Sequence, residues 1–109
     1  MKDKEIIIEA IESYDIYKPQ GKAVLKTLVA ASKEDNIARL SVKNLIELSK
    51  VSKQGIYNTM RYLENDKLVE RQKVSGHRLG IFKLNKEKLL EIVDYYQNLQ
   101  NTKNILKKI

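Results

Sequence analysis

Residues 41–84 read SVKNLIELSKVSKQGIYNTMRYLENDKLVERQKVSGHRLGIFKL, and the order of local signals in this stretch decides the fold. Ser41 is a good N-cap, because its side-chain oxygen can accept from an unpaired backbone N–H of the first helical turn. It precedes a helical run, Val42 to Ser49, in which Leu45, Ile46 and Leu48 are expected to face inward. After Lys50 and Val51 a second cap, Ser52, opens a helix expected to reach about Asp66. Its Ile56, Met60 and Leu63 are spaced for burial, which turns Lys53, Gln54, Tyr57, Asn58 and Arg61 to the opposite side. Two strand-like runs follow, 68–72 and 79–84, around a basic turn at 73–78 where Ser75 and Gly76 allow the reversal.

Outward from this segment the chain reads as support. Residues 3–14 place Ile7, Ala10, Ile11 and Tyr14 on one helical face, and the segment around Pro19 interrupts the pattern. A second helix is expected at about 20–34 with Val24, Leu25, Leu28, Val29 and Ala31 as its apolar stripe; Asp35 and Asn36 end it, and 37–40 suits a minimal strand. Asn85 then caps a long final helix in which Leu89, Ile92, Tyr96, Leu99 and Leu106 fall on a seven-residue repeat broken by Lys103. The expectation is a single domain over 1–109: an N-terminal helix in 1–17, a helix–turn–helix with its hairpin in 20–84, and a dimerisation helix in 85–109.

Helix, short turn, helix and hairpin in that order make a winged helix-turn-helix, here mainly α with a small β-hairpin wing (α+β) and an added helix at each end. A chain of 109 residues with 42% hydrophobic and 32% charged residues can bury one core. The absence of cysteine removes disulfides, thiol nucleophiles and Cys-ligated metals. The four glycines are scattered singly, so no phosphate-cradling loop is present, and the one histidine, His77, has no metal-ligating or catalytic partner in the pattern. The expectation is therefore a non-enzyme without cofactor or metal. No apolar run is long enough for a membrane span or secretion signal, which makes the cytoplasm the expected location.

The net charge of +7 is localised: residues 1–40 balance to zero, whereas 41–83 hold nine basic against four acidic side chains. A basic excess on the segment with two helix starts and a hairpin fits a polyanion, and double-stranded DNA fits the shape. Gln54, Asn58 and Arg61 share one helical face and carry the planar hydrogen-bonding groups that read base edges, with Tyr57 beside them. Ser41, Lys43, Ser52, Lys53 and Thr59 are expected on phosphates, and Lys73, His77 and Arg78 on the wing, near phosphates or a minor groove. Gly55, early in the reading helix, is expected to serve close packing rather than close approach to phosphate. The terminal helices carry more apolar side chains than a small core needs, so a homodimer is expected through Ile7, Ile11, Tyr14, Leu89, Ile92, Tyr96 and Leu99.

On the phrases LSVKNLIELSKVSKQGIYNTMRYLENDKLVER and GHRLGIFKL, residues 20–99 resemble MarR-type and related bacterial winged-helix domains. The resemblance implies sequence-specific DNA binding as a transcriptional regulator, most simply a repressor. The size and element order also resemble the centromere-binding adaptors of tubulin-like plasmid and phage partition systems. That second resemblance implies a filament-forming GTPase as partner, with replication control as a related role.

Overall fold

The computed structural model describes residues 4–72 and 80–107. The elements run α1 (Lys4–Glu12), α2 (Pro19–Ala31), β1 (Ile37–Leu40), α3 (Val42–Ser49), α4 (Lys53–Asn65), β2 (Val69–Gln72), β3 (Gly80–Leu84) and α5 (Lys86–Lys107). Most boundaries follow from their caps. Pro19 opens α2 rather than interrupting it, since the first helical position has no N–H partner to lose. α2 stops at Ala31, earlier than the 34 expected, because Ser32 is extended and donates its hydroxyl to Val29 O at 2.7 Å. Asn36, at φ 61°, then turns the chain into β1. Asn85 Oδ1 accepts from Lys88 N at 3.3 Å and starts α5.

The sheet order is β1-β3-β2, antiparallel throughout, with Ala38 opposite Phe82 and Phe82 opposite Arg71. Phe82, in the middle strand, is 1% exposed and points into a core built with Leu25, Leu28, Leu45, Ile56, Leu63 and Leu89. One sheet face thus covers α2, α3 and α4, and the arrangement is a mainly helical α+β fold.

Two sequence expectations are corrected by burial. Leu48 is 62% exposed, and Leu45 is the one buried side chain of α3. Ile7, Ile11, Leu89 and Ile92, expected at a dimer interface, are at most 5% exposed: α1 packs against α2 and α5, and these side chains close the chain's own core. Along α5 the buried residues are Leu89, Ile92 and Val93; beyond Gln100 every described residue is exposed. With 22 residues this helix is about 33 Å long, and its free end gives the molecule extents of 59 × 27 × 23 Å.

Candidate nucleic-acid interface

Helix α4 is set in place by three local devices. Ser41 caps α3 in a reciprocal box, its Oγ accepting from Asn44 N at 3.0 Å while Asn44 Oδ1 accepts from Ser41 N at 3.3 Å. Lys50 takes the left-handed conformation at φ 59° and returns its N–H to Ile46 O at 2.9 Å, ending α3 within one residue. Ser52 then caps α4, its Oγ accepting from Gly55 N at 3.1 Å. Val51, 5% exposed, anchors the turn between them, and a Cβ on Gly55 would lie 2.6 Å from Val51 Cγ1. Glycine at 55 is therefore needed for the packing of turn on helix, as expected.

With Ile56, Met60 and Leu63 buried, α4 turns Ser52, Lys53, Gln54, Tyr57, Asn58 and Arg61 to solvent. Gln54 Nε2 donates to Asn58 Oδ1 at 3.1 Å. The pair leaves Gln54 Oε1 as an acceptor and Asn58 Nδ2 as a donor, the complement of adenine N6–H and N7 in a major groove. Arg61, one turn further along the same face, offers the guanidinium fork that suits guanine. Tyr57 and Lys53 form one wall of a shallow groove whose other side is Val42, Lys43, Ile46 and Glu47 of α3, so two lysines flank an apolar floor.

The expected phosphate ligands separate on inspection. Lys43, Lys53 and Ser52 are exposed at the two helix starts, and the Ser52 cap uses its oxygen as acceptor, leaving the hydroxyl proton for an anion. Ser41 is half-buried and already donates its hydroxyl to Asn44 Oδ1 at 2.8 Å. Thr59 is corrected: at 2% exposed it lies on the core side of α4 and cannot reach a phosphate. Lys73, His77 and Arg78 lie outside the described residues.

Of the remaining dimer candidates, Tyr14, Tyr96 and Leu99 are half-buried. The Glu9 carboxylate beside Tyr96 raises that hydroxyl above the usual phenol range, with burial adding to the effect.

One residue with a structural claim on the site was missed in the sequence. Tyr17, in the linker between α1 and α2, is 9% exposed and donates its hydroxyl to Asp66 Oδ2 at 2.7 Å. Asp66 is the C-cap of α4. The Tyr17 ring sits 5.5 Å from that of Tyr62 on α4 and 5.3 Å from that of Tyr14, and Tyr14 meets Tyr95 of α5 edge-on at 5.7 Å. Burial, and next the hydrogen bond to Asp66, push the Tyr17 hydroxyl far above the usual phenol range. No periodicity runs through the short linker of residues 13–18, and the spacing of 49 residues to Asp66 left no local signal.

Two capped helices across a tight turn, an exposed polar and basic second helix, and an antiparallel three-stranded sheet define a winged helix-turn-helix fold. The same fold is found in a MepR mutant from S. aureus bound to an oligodeoxyribonucleotide, with TM-score 0.60 and 16% identity over 99% of this chain and 76% of that one. An S. aureus MepR–DNA complex aligns with TM-score 0.52 and 22% identity over 98% and 88%. RV1404 from Mycobacterium tuberculosis gives 0.56 and 16% over 96% and 69%. At these identities the likeness is one of fold. No protein-family model and no curated protein matches the sequence. Among the described residues no helix is long and apolar enough to cross a membrane, and no cluster of three His, Cys, Asp or Glu side chains could hold a metal ion.

Proposed function

We propose that this chain is a sequence-specific double-stranded DNA-binding protein that regulates transcription without catalysing a reaction. The observation that carries the reading is the exposed face of α4: one cation at its start, a hydrogen-bonded Gln54–Asn58 pair one turn on, and Arg61 beyond, on a scaffold also seen in structures holding DNA. Lys43, Ser52 and Lys53 hold phosphates and set the register; Gln54, Tyr57, Asn58 and Arg61 face the base edges. Occupying base pairs is enough to exclude a competitor, so repression needs no surface beyond this one, and repression is the regulatory sense we assign. A DNA target sets the place of action in the cytoplasm. No feature of the described residues favours the partition-adaptor alternative.

The active form in this reading is a homodimer. Support comes from α5, whose free end carries Leu99, half-buried, with Ile105 and Leu106 at 62% and 64% exposed, on a helix that outruns its own core. Tyr96 and Tyr14 flank its base. Two such helices laid together bury these side chains and place two α4 faces for a two-half-site operator. Selection from a random duplex pool tests the whole reading: recovery of paired half-sites, bound by a species sedimenting at twice 12.7 kDa, supports it. A monomer at micromolar concentration that binds single half-sites would remove the dimer, and no enrichment would remove sequence reading.

A further inference from the structure

α4 is held differently at its two ends. Its first turn is fixed by the Ser52 cap and by the packing of Gly55 on Val51. Its last turn ends in Asp66, Lys67 and Leu68, with Lys67 N returning to Glu64 O and Leu68 N to Leu63 O, both at 3.0 Å. Those bonds are internal to the helix end, while Leu63, buried in the core, and the bonds from Asn85 N to Leu68 O at 2.9 Å and from Asn85 Nδ2 to Lys67 O at 3.1 Å tie that end to the rest of the molecule. Two further contacts adjust its pose: Tyr62 against α2, where a Cβ on Gly21 would run into Tyr62 Oη, and Tyr17 on Asp66. Through Tyr14 and Tyr95 the Tyr17 ring is in turn seated on α5.

We infer that Tyr17 and Asp66 are positioning residues for DNA reading: their hydrogen bond sets the tilt of the C-terminal half of α4, and with it where Arg61 meets the base edges. The inference rests on the DNA-binding reading above. Arg61 is five residues from Asp66, about 7.5 Å along the helix axis, whereas Gln54 is twelve away, about 18 Å, and next to the fixed end. With one of these ties lost, the C-terminal half of α4 shifts on its packing while the Ser52 cap still holds the start. The displacement grows along the helix, so Arg61 moves more than Gln54. Arginine's two-pronged contact to a guanine is also the least tolerant of displacement, since both N–H groups must meet fixed acceptors.

The ring contacts of Tyr17 survive replacement by phenylalanine, so Tyr17→Phe isolates the hydrogen bond. On a duplex obtained by selection, Tyr17→Phe is expected to weaken binding about tenfold, near the low end of what a bidentate arginine–guanine contact is worth. Affinity for a scrambled duplex should not change. The loss should map to the base pairs whose substitution Arg61→Ala no longer senses, and spare those sensed through Gln54. Asp66→Asn keeps an acceptor for the Tyr17 hydroxyl and should restore most of the affinity lost in Asp66→Ala. If Tyr17→Phe lowers the melting temperature while leaving the base-pair profile unchanged, the bond is only structural and the assignment is wrong. Unchanged affinity for the selected duplex also overturns it, while leaving DNA binding intact. Absence of duplex binding by the unmodified protein overturns the DNA reading and this assignment together.

Discussion

Affinity and discrimination should be separable in this protein by two single substitutions on one helix, Lys53→Ala and Asn58→Ala. Both side chains are exposed on α4, five residues apart, but they meet different parts of a duplex in the proposed complex. Each phosphate neutralised releases counterions worth a slope of about −0.9 in log K against log salt. Lys43 and Lys53 alone therefore set a floor of about −1.8 per copy and about −3.6 for two copies. Between 50 and 200 mM salt that floor corresponds to roughly a 150-fold loss of affinity, and contacts from the wing only steepen it. Lys53→Ala should reduce the slope by about 0.9 per copy and weaken selected and scrambled duplexes alike. Asn58→Ala should leave the slope unchanged. It removes a base-edge donor and also the acceptor that orients Gln54 at 3.1 Å, so the preference for the selected duplex should fall by about 1–3 kcal/mol, toward the upper end. Fluorescence anisotropy with both duplexes at four salt concentrations measures the two quantities in one experiment. If the two variants change slope and preference in the same proportion, the division of α4 into phosphate and base contacts is wrong. A slope shallower than −1 in the unmodified protein removes Lys43 and Lys53 from the phosphates.

Three further outcomes concern the scaffold. Gly21→Ala places a methyl on Tyr62 Oη, and overpacking of about 1–3 kcal/mol, less roughly 1 kcal/mol gained in helix propensity, should leave a destabilised protein that Tyr62→Phe partly rescues in urea unfolding. Lys67 pays left-handed strain at φ 60° where the chain leaves α4, so Lys67→Gly should raise stability by about 0.5–1 kcal/mol, and a lower urea midpoint would contradict this. The Tyr17 hydroxyl is raised by burial and by Asp66, and Tyr14 is raised chiefly by burial. Their neutral forms belong to the folded state, so the stabilisation is complete below the unfolded phenol value of about 10 and is lost as pH rises past it. The urea midpoint should fall above about pH 10, and less steeply in Tyr17→Phe; equal slopes would show that other groups dominate.

Local signals were legible in the sequence and long-range ones were not. Ser41, Ser52 and Asn85 could be read as caps because a cap is decided by one side chain and the three residues after it. The face of α4 followed from the burial of Ile56, Met60 and Leu63, but Thr59 fell on the wrong side because a hydroxyl gives no hydropathy signal at the edge of a stripe. Periodicity showed that Ile7, Ile11, Leu89 and Ile92 have an apolar side without showing what covers it, and α1 on α5 was a sufficient answer. Tyr17 and Asp66 stand outside any repeat, so only the folded chain brings them together.

The strand order β1-β3-β2 also governs when the protein can fold during its synthesis. β1 is complete at Leu40, yet its sheet neighbour among the described residues begins at Gly80. On the ribosome the first strand waits for roughly 40 more residues, on the order of 2–8 s at ~5–20 residues per second, with no partner for its backbone. Phe82, the side chain that closes the core beneath the sheet, arrives in the same late segment. The helices α1 to α4 are therefore all translated before the layer that locks them exists. A nascent chain halted before Gly80 lacks the strand that covers the apolar side of its helices, a form a chaperone would recognise.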